Sequence, residues 1–137
     1  MALETFEGKE VEIKSPSYAV FASFSDLTLM KNRIPDEYKD KVTVTPDTVE
    51  GDYNGMHLGL RVAERVPYSR IVMRPMEGFP MDFSLIFKID DKDASSSKIK
   101  VCVEAQMNFI IKAMMGKKIQ SVLDQMTEKI AQQAINQ

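Results

Sequence analysis

Tryptophan is absent from this chain, and histidine and cysteine each occur once, as His57 and Cys102. A single cysteine excludes an intramolecular disulfide framework and leaves no thiolate cluster for zinc or iron–sulfur. No glycine-rich phosphate loop, HExxH, CxxC or GxSxG occurs, so the enzyme classes that carry those motifs find no support. No stretch approaches the roughly 18 apolar residues of a membrane span, and the N-terminal residues lack a basic segment leading into an apolar run. Basic residues cluster no further than a pair, and the formal net charge is -2. That balance gives no electrostatic footprint for nucleic acid or an anionic membrane. These absences lead us to expect no cofactor, no metal, no nucleic-acid partner and no membrane span. They also fit a reducing, cytoplasmic setting.

What is present is enough for one core. The 137 residues, 44% apolar and 28% charged, fit a single domain over 1–137 and lack the low-apolar, high-charge signature of disorder. The most telling segment is the last third. A period-two strand, Ile99 to Met107, runs almost directly into a long amphipathic helix from Phe109 to about Ile135, which implies a helix packed on a sheet.

The rest of the order supports that reading. Leu3 to Lys14 is β-compatible, with Val11 and Ile13 on one parity, Phe6 on the other, and Gly8 marking a bulge between them. Ser15-Pro16 reads as an N-cap and first helical position, opening a short helix through Ser25. Asp26 is placed to cap a second helix presenting Leu27, Met30 and Ile34, which Pro35 should stop. Strands are then expected over 42–45, 48–53, 56–66, 70–76, 82–90 and 98–107, with Asn54-Gly55 as a two-residue hairpin turn and the polar stretch 91–97 as a loop. On these strands Leu58, Leu60 and Val62 share one face, as do Phe83, Leu85 and Phe87, and Val101, Val103 and Met107. Such faces need a partner, so the fold class is α+β: a curved antiparallel sheet of about six or seven strands, two short helices after the first strand, and the long C-terminal helix across the sheet.

This order resembles the START-like superfamily, also called SRPBCC, which includes polyketide cyclases and the birch pollen allergen. The residues carrying the resemblance are Val11 to Phe21, the joint Phe24-Ser25-Asp26-Leu27, the stop at Ile34-Pro35, Leu60 to Pro67, Phe83-Ser84-Leu85, and Met107 to Met114. Together they span nearly the whole chain, and the likeness is strongest to a small bacterial, Bacteroidetes-type branch. The resemblance implies a helix-grip fold with a cavity between sheet and C-terminal helix, used by various members for lipids, sterols, polyketides or plant hormones. The superfamily has no universal catalytic residue, so no activity transfers with the fold.

Inward positions give the candidate pocket lining: Leu58, Leu60, Val62, Met73, Phe83, Leu85, Phe87, Val101, Val103 and Met107 from the sheet, and Met114, Met115, Ile119, Leu123 and Met126 from the helix. The methionines suit a deformable pocket and a plain core equally well. Phe79-Pro80-Met81 forms an apolar loop placed at the cavity entrance, or else packed on the helix start. Tyr53, Arg61 and Arg74 are the candidate polar anchors; arginines here, together with Arg65, Asp82 and Glu104, read alternatively as cross-strand ion pairs on a solvated face. Tyr18, Tyr38 and Tyr68 read as rim packing. Alternation puts His57 and Cys102 on the outer face, and nothing in their spacing joins them as a base and nucleophile. The leading functional reading is a non-enzymatic binding or transport protein for a small hydrophobic ligand, lipid-like or aromatic. A cyclase- or hydratase-like enzyme and a protein-interaction module are the alternatives.

Overall fold

The computed structural model describes residues 2–34, 36–53 and 55–135, with the side chains of Asn32, Arg33, Tyr53, Ala134 and Ile135 outside the description. The elements run β1 (Ala2–Glu7), β2 (Val11–Ile13), α1 (Ser17–Ser25), a 3-10 helix (Leu27–Arg33) and α2 (Asp36–Lys39). They continue as β3 (Val42–Val44), β4 (Thr48–Tyr53), β5 (Met56–Val66), β6 (Arg70–Pro75), β7 (Phe83–Asp93), β8 (Ser96–Met107) and α3 (Phe109–Ile135).

The strands form one antiparallel sheet in the order β1-β8-β7-β6-β5-β4-β3, with β2 also paired to β8. β1 and β2 lie end to end on the same edge, so eight strands fill seven positions. Between them the register slips: Glu7 faces Cys102 and Val11 faces Ile99, four residues against three. This is the bulge expected at Gly8, and the reason for glycine is space. A Cβ there would overlap Thr127 Oγ1 on α3, so the edge strand and the gripping helix meet at closest approach where no side chain intervenes.

One sheet face is apolar and α3 lies across it. Ile71, Phe87 and Val101 are in cross-strand register, as are Met73, Leu85 and Val103, and all are buried with Leu123 and Ile130 of α3. Phe24 of α1 is fully buried and meets Phe87 edge-on at 5.8 Å between centroids, a favourable aromatic geometry. Asn108 caps α3 by accepting from Ile111 N at 2.9 Å.

Several local expectations change. Pro16, not Ser15, occupies the N-cap of α1, with no side-chain cap; its carbonyl accepts from Ala19 and Val20 N, while the Ser15 carbonyl accepts instead from the buried Ser97 hydroxyl at 2.7 Å. Asp26 does cap the next helix, accepting from Thr28 N at 3.0 Å and from Thr28 Oγ1 at 2.6 Å, but that helix is of the tighter 3-10 type. The expected stop at Pro35 lies outside the described residues. α2 is a short helix that the sequence pattern did not announce. The polar stretch after Asp90 is mostly strand: β7 and β8 continue pairing through Asp93 and Ser96 around a bulge, because a two-stranded ribbon projecting into water needs no apolar alternation. At the other hairpin Tyr53 pairs with Met56 and Gly55 takes φ 77°, the left-handed backbone a tight turn asks of glycine; Asn54 lies outside the described residues.

The bulge in β5 between Val62 and Glu64 fixes Arg65. It turns Arg65 to the inner side, opposite Ile71, at the sheet end that faces the close of α1. There the guanidinium donates to Ser25 O at 2.8 Å, Ser25 Oγ at 2.8 Å, Pro46 O at 3.3 Å and Asp47 Oδ1 at 2.7 Å. One side chain thus ties a helix C-terminus to the β3–β4 turn, where the orphan carbonyls and the helix dipole both favour a cation.

Candidate functional site

Between the apolar face and α3 the core does not close completely. A cavity of about 380 Å³ remains, bounded by Leu27, Met30 and Ile34 of the 3-10 segment, Leu60, Met73, Phe83, Leu85, Phe87 and Val103 of the sheet, and Met115, Ile119, Val122, Leu123 and Met126 of α3. Tyr38, Val42, Val49, Phe79, Met81 and Lys118 complete its wall. A second space of about 420 Å³ adjoins it, sharing Tyr38, Val42, Val49, Leu60, Phe79, Met115 and Lys118 and adding Lys41, Glu50, Gly51, Asp52, Met56, Leu58, Gly59 and Pro80. The arrangement is a greasy inner chamber adjoining a vestibule whose wall adds Lys41, Glu50 and Asp52 to Lys118.

Among the described residues that border the inner chamber only Tyr38 and Lys118 have polar side-chain atoms, the others being aliphatic, aromatic or methionine, and the surface they enclose is almost wholly apolar. Phe79 and Phe83 meet edge-on at 5.1 Å, and the apolar loop borders both spaces, Phe79 and Met81 at the chamber and Phe79 and Pro80 at the vestibule. Five methionines, Met30, Met73, Met81, Met115 and Met126, touch the chamber. Their unbranched thioethers let its shape adapt.

The structure distributes the sequence-derived candidates unevenly. Leu60, Met73, Phe83, Leu85, Phe87, Val103, Met115, Ile119, Leu123 and Met126 border the inner chamber, and Leu58 the vestibule. Val62, Val101 and Met107 point to the same side of the sheet but pack into core beyond the cavity. Met114 is 76% exposed; one residue along a helix is a turn of about 100°, which carries it off the inward stripe held by Met115. Arg61 and Arg74 are not cavity anchors. They pair with each other in register on the outer face, where Arg74 donates to Ser84 Oγ at 2.8 Å and Asp82 Oδ1 at 2.7 Å, the cross-strand alternative. The Tyr53 side chain lies outside the described residues. Tyr38, Val42, Val49 and Lys118 were missed. Lys118 stands three residues after Met115 and four before Val122, and that position at the edge of the apolar stripe was a readable signal.

His57 and Cys102 belong to the outer face, as alternation required. His57 is exposed, with Nδ1 2.9 Å from Asp52 Oδ1 and Nε2 3.1 Å from Glu50 Oε1. Hydrogen bonding to Asp52, then to Glu50, raises its pKa above the ordinary imidazole value, since both ring nitrogens donate only in the imidazolium. Cys102 is fully buried, and burial pushes its thiol pKa up. It sits on β8, three strand spacings from β5, or about 14 Å, so the two do not form a nucleophile and base. Among the described residues no three His, Cys, Asp or Glu side chains are arranged to hold a metal ion, and no helix is long and apolar enough to cross a membrane.

No protein-family model matches the sequence, and no curated protein aligns with it significantly. Solved structures do match in fold. Norcoclaurine synthase from Thalictrum flavum, in complex with dopamine and hydroxybenzaldehyde, superposes with a TM-score of 0.73 at 12% identity over 98% of this chain and 88% of its own. A START superfamily protein from Mycobacterium smegmatis gives 0.59 at 11% over 98% and 97%. DynU16, from the dynemicin biosynthetic locus, gives 0.61 at 11% over 93% of this chain and 46% of its own. With the sheet order and the gripping helix, these likenesses assign the START-like helix-grip fold that the motifs implied. At such identities the likeness is one of fold.

Proposed function

We propose that the domain binds a small amphiphile, with an apolar body inside the chamber and a polar or anionic end at Lys118 and Tyr38. The observation that carries this reading is an almost wholly apolar chamber of about 380 Å³ in which, among the described residues, Tyr38 and Lys118 belong both to its wall and to the vestibule. That volume lies in the range of small-molecule sites, and apolar burial supplies most of the affinity there. A lipid-like or aromatic acid is the ligand class such a wall selects.

The test is binding of anilinonaphthalene sulfonate, an apolar dye with an anionic end, and of a neutral analogue. Val103→Phe or Leu85→Trp, which fill the chamber, should abolish binding of both while urea unfolding shows a folded protein. Lys118→Glu should weaken the anionic dye by about tenfold or more and leave the neutral one nearly unchanged, the scale of one charge-assisted contact. Equal dye binding by wild type and filled variants would sink the proposal.

A cyclase- or hydratase-like activity on a hydrophobic substrate is the second reading, favoured by the presence of Tyr38 and Lys118 among the residues of an otherwise apolar wall. With Arg61 and Arg74 on the outer face, that chemistry falls to Tyr38 and Lys118. Tyr38→Phe and Lys118→Met that still bind a substrate but leave its turnover unchanged would discard this reading.

A further inference from the structure

The first three turns of α3 leave a greasy surface uncovered. Phe109 is 82% exposed, Ile110 56% and Met114 76%, with Ala113 exposed between them. Positions 109 and 113, and 110 and 114, are four apart on a helix, so these four side chains form one contiguous patch and not scattered exceptions. Lysines border it: Lys112 is three residues beyond Phe109, Lys117 three beyond Met114, and Lys118 four beyond Met114. No acidic residue occurs on α3 before Asp124, about 10 Å further along the axis than Lys117. Lys112 also pairs with Glu4 of β1 at 2.9 Å. The formal net charge of the whole chain averages this end away.

The patch adjoins the cavity opening. Ile110, Met114 and Lys118 lie on one helical stripe, and Lys118 with Met115 lines both chamber and vestibule. Across the mouth stand Met56, which is exposed, and Pro80. We infer that the start of α3 docks this domain on an anionic lipid bilayer, with Phe109, Ile110 and Met114 entering the interfacial region and Lys112 and Lys117 meeting the headgroups. A short, basic-flanked apolar helix face is the chemistry that holds a protein in the plane of an interface without spanning it. A second copy fits the same patch less well, because a two-fold contact would bring the lysine borders of both copies together. Docking in this orientation places the opening beside the bilayer, so an amphiphile could pass between membrane and chamber with little exposure to water. The docking itself does not depend on what fills the chamber.

The chain has no tryptophan, so Phe109→Trp supplies a single reporter. Mixed with phosphatidylcholine vesicles containing phosphatidylserine, it should show a blue-shifted emission and pellet with the vesicles. Pure phosphatidylcholine should bind it more weakly, and added salt should weaken binding to the anionic vesicles. In otherwise wild-type protein, Phe109→Ser with Met114→Ser should lower partitioning into anionic vesicles by about tenfold or more, and Lys117→Glu by a similar factor. Dye binding in vesicle-free solution should be unchanged by these three substitutions, which separates failure of docking from failure of the ligand reading. No pelleting with either vesicle, or pelleting that the substitutions leave unchanged, overturns the inference. A blue shift without vesicles that grows with protein concentration, with a doubled mass on sedimentation, assigns the patch to self-association and overturns it too.

Discussion

Replacing Gly8 by alanine tests the contact at which the edge of the sheet meets the gripping helix. The added Cβ would overlap Thr127 Oγ1, while the next atoms, Leu123 O and Thr127 Cβ, stand at 3.5 Å. The overlap is therefore with one hydroxyl oxygen, and everything else is ordinary contact. Gly8 is not among the positive-φ glycines, so its backbone accepts alanine and only space forbids it. Overpacking of this kind costs about 1–3 kcal/mol. Thr127 has one escape, a turn of its hydroxyl to a second rotamer, and that escape limits the cost to the lower part of the range. The same hydroxyl is buried without a hydrogen-bond partner, so Thr127→Ala removes an unsatisfied group together with a buried methyl, two opposing effects of about 1 kcal/mol each. That single change should be close to neutral. In the Thr127→Ala background the overlap vanishes, and Gly8→Ala should then stabilise by about 0.4–1 kcal/mol by restricting the unfolded chain. The prediction is a reversal of sign, measured by urea unfolding of the four proteins of the cycle and expressed in the denaturation midpoint at constant slope. If Gly8→Ala has the same sign and size in both backgrounds, the helix does not press on the bulge and the packing argument is wrong.

Two further outcomes follow from the polar contacts. Arg65→Ala should destabilise by about 2 kcal/mol in urea, because it strips the Ser25 and Pro46 carbonyls of charged donors, whereas Asp47→Ala, which breaks only the exposed ion pair, should cost under about 1 kcal/mol; equal costs would show that the carbonyl contacts contribute nothing. The His57 imidazole should titrate by NMR above 6.5, its ordinary value, and Glu50→Gln with Asp52→Asn should return it there. Because the folded pKa is raised, its stabilising contribution is complete below the unfolded value and is lost as pH rises through the folded one; a midpoint at or below 6.5 would contradict the geometry.

Where local chemistry and tertiary packing agree, the sequence was a sufficient guide. β4 and β5 were bounded by their turn residues, and α3 by an apolar stripe too long to serve any other period. The inward faces of β7 and β8 followed from alternation, and with them Phe83, Leu85, Phe87 and Val103 in the chamber wall. The rest required the third dimension. Alternation says which face Val101 and Met107 take, but not that the core has already closed around them. Nothing in a period-two pattern reveals that Val42 and Val49, near the far edge of the sheet, border the chamber. Met114 and Lys118 show the limit most plainly: composition favours the methionine as lining, yet the rotation of the helix leaves Met114 exposed, while Lys118, exposed as expected, also borders the chamber.

The pairing of β1 and β2 with β8 sets the order in which this molecule can assemble. Ala2 must find Met107 and Val11 must find Ile99, contacts between almost opposite ends of the described chain. Before they form, the β4–β7 meander can fold locally, with its greasy face open and α3 not yet laid across it. Closing so large a loop is entropically expensive and slow, so the domain should pass through a stage in which the future chamber is a bare apolar sheet. Such a stage is prone to aggregation, and the speed with which α3 arrives to cover the apolar face governs how much of the chain reaches the folded state.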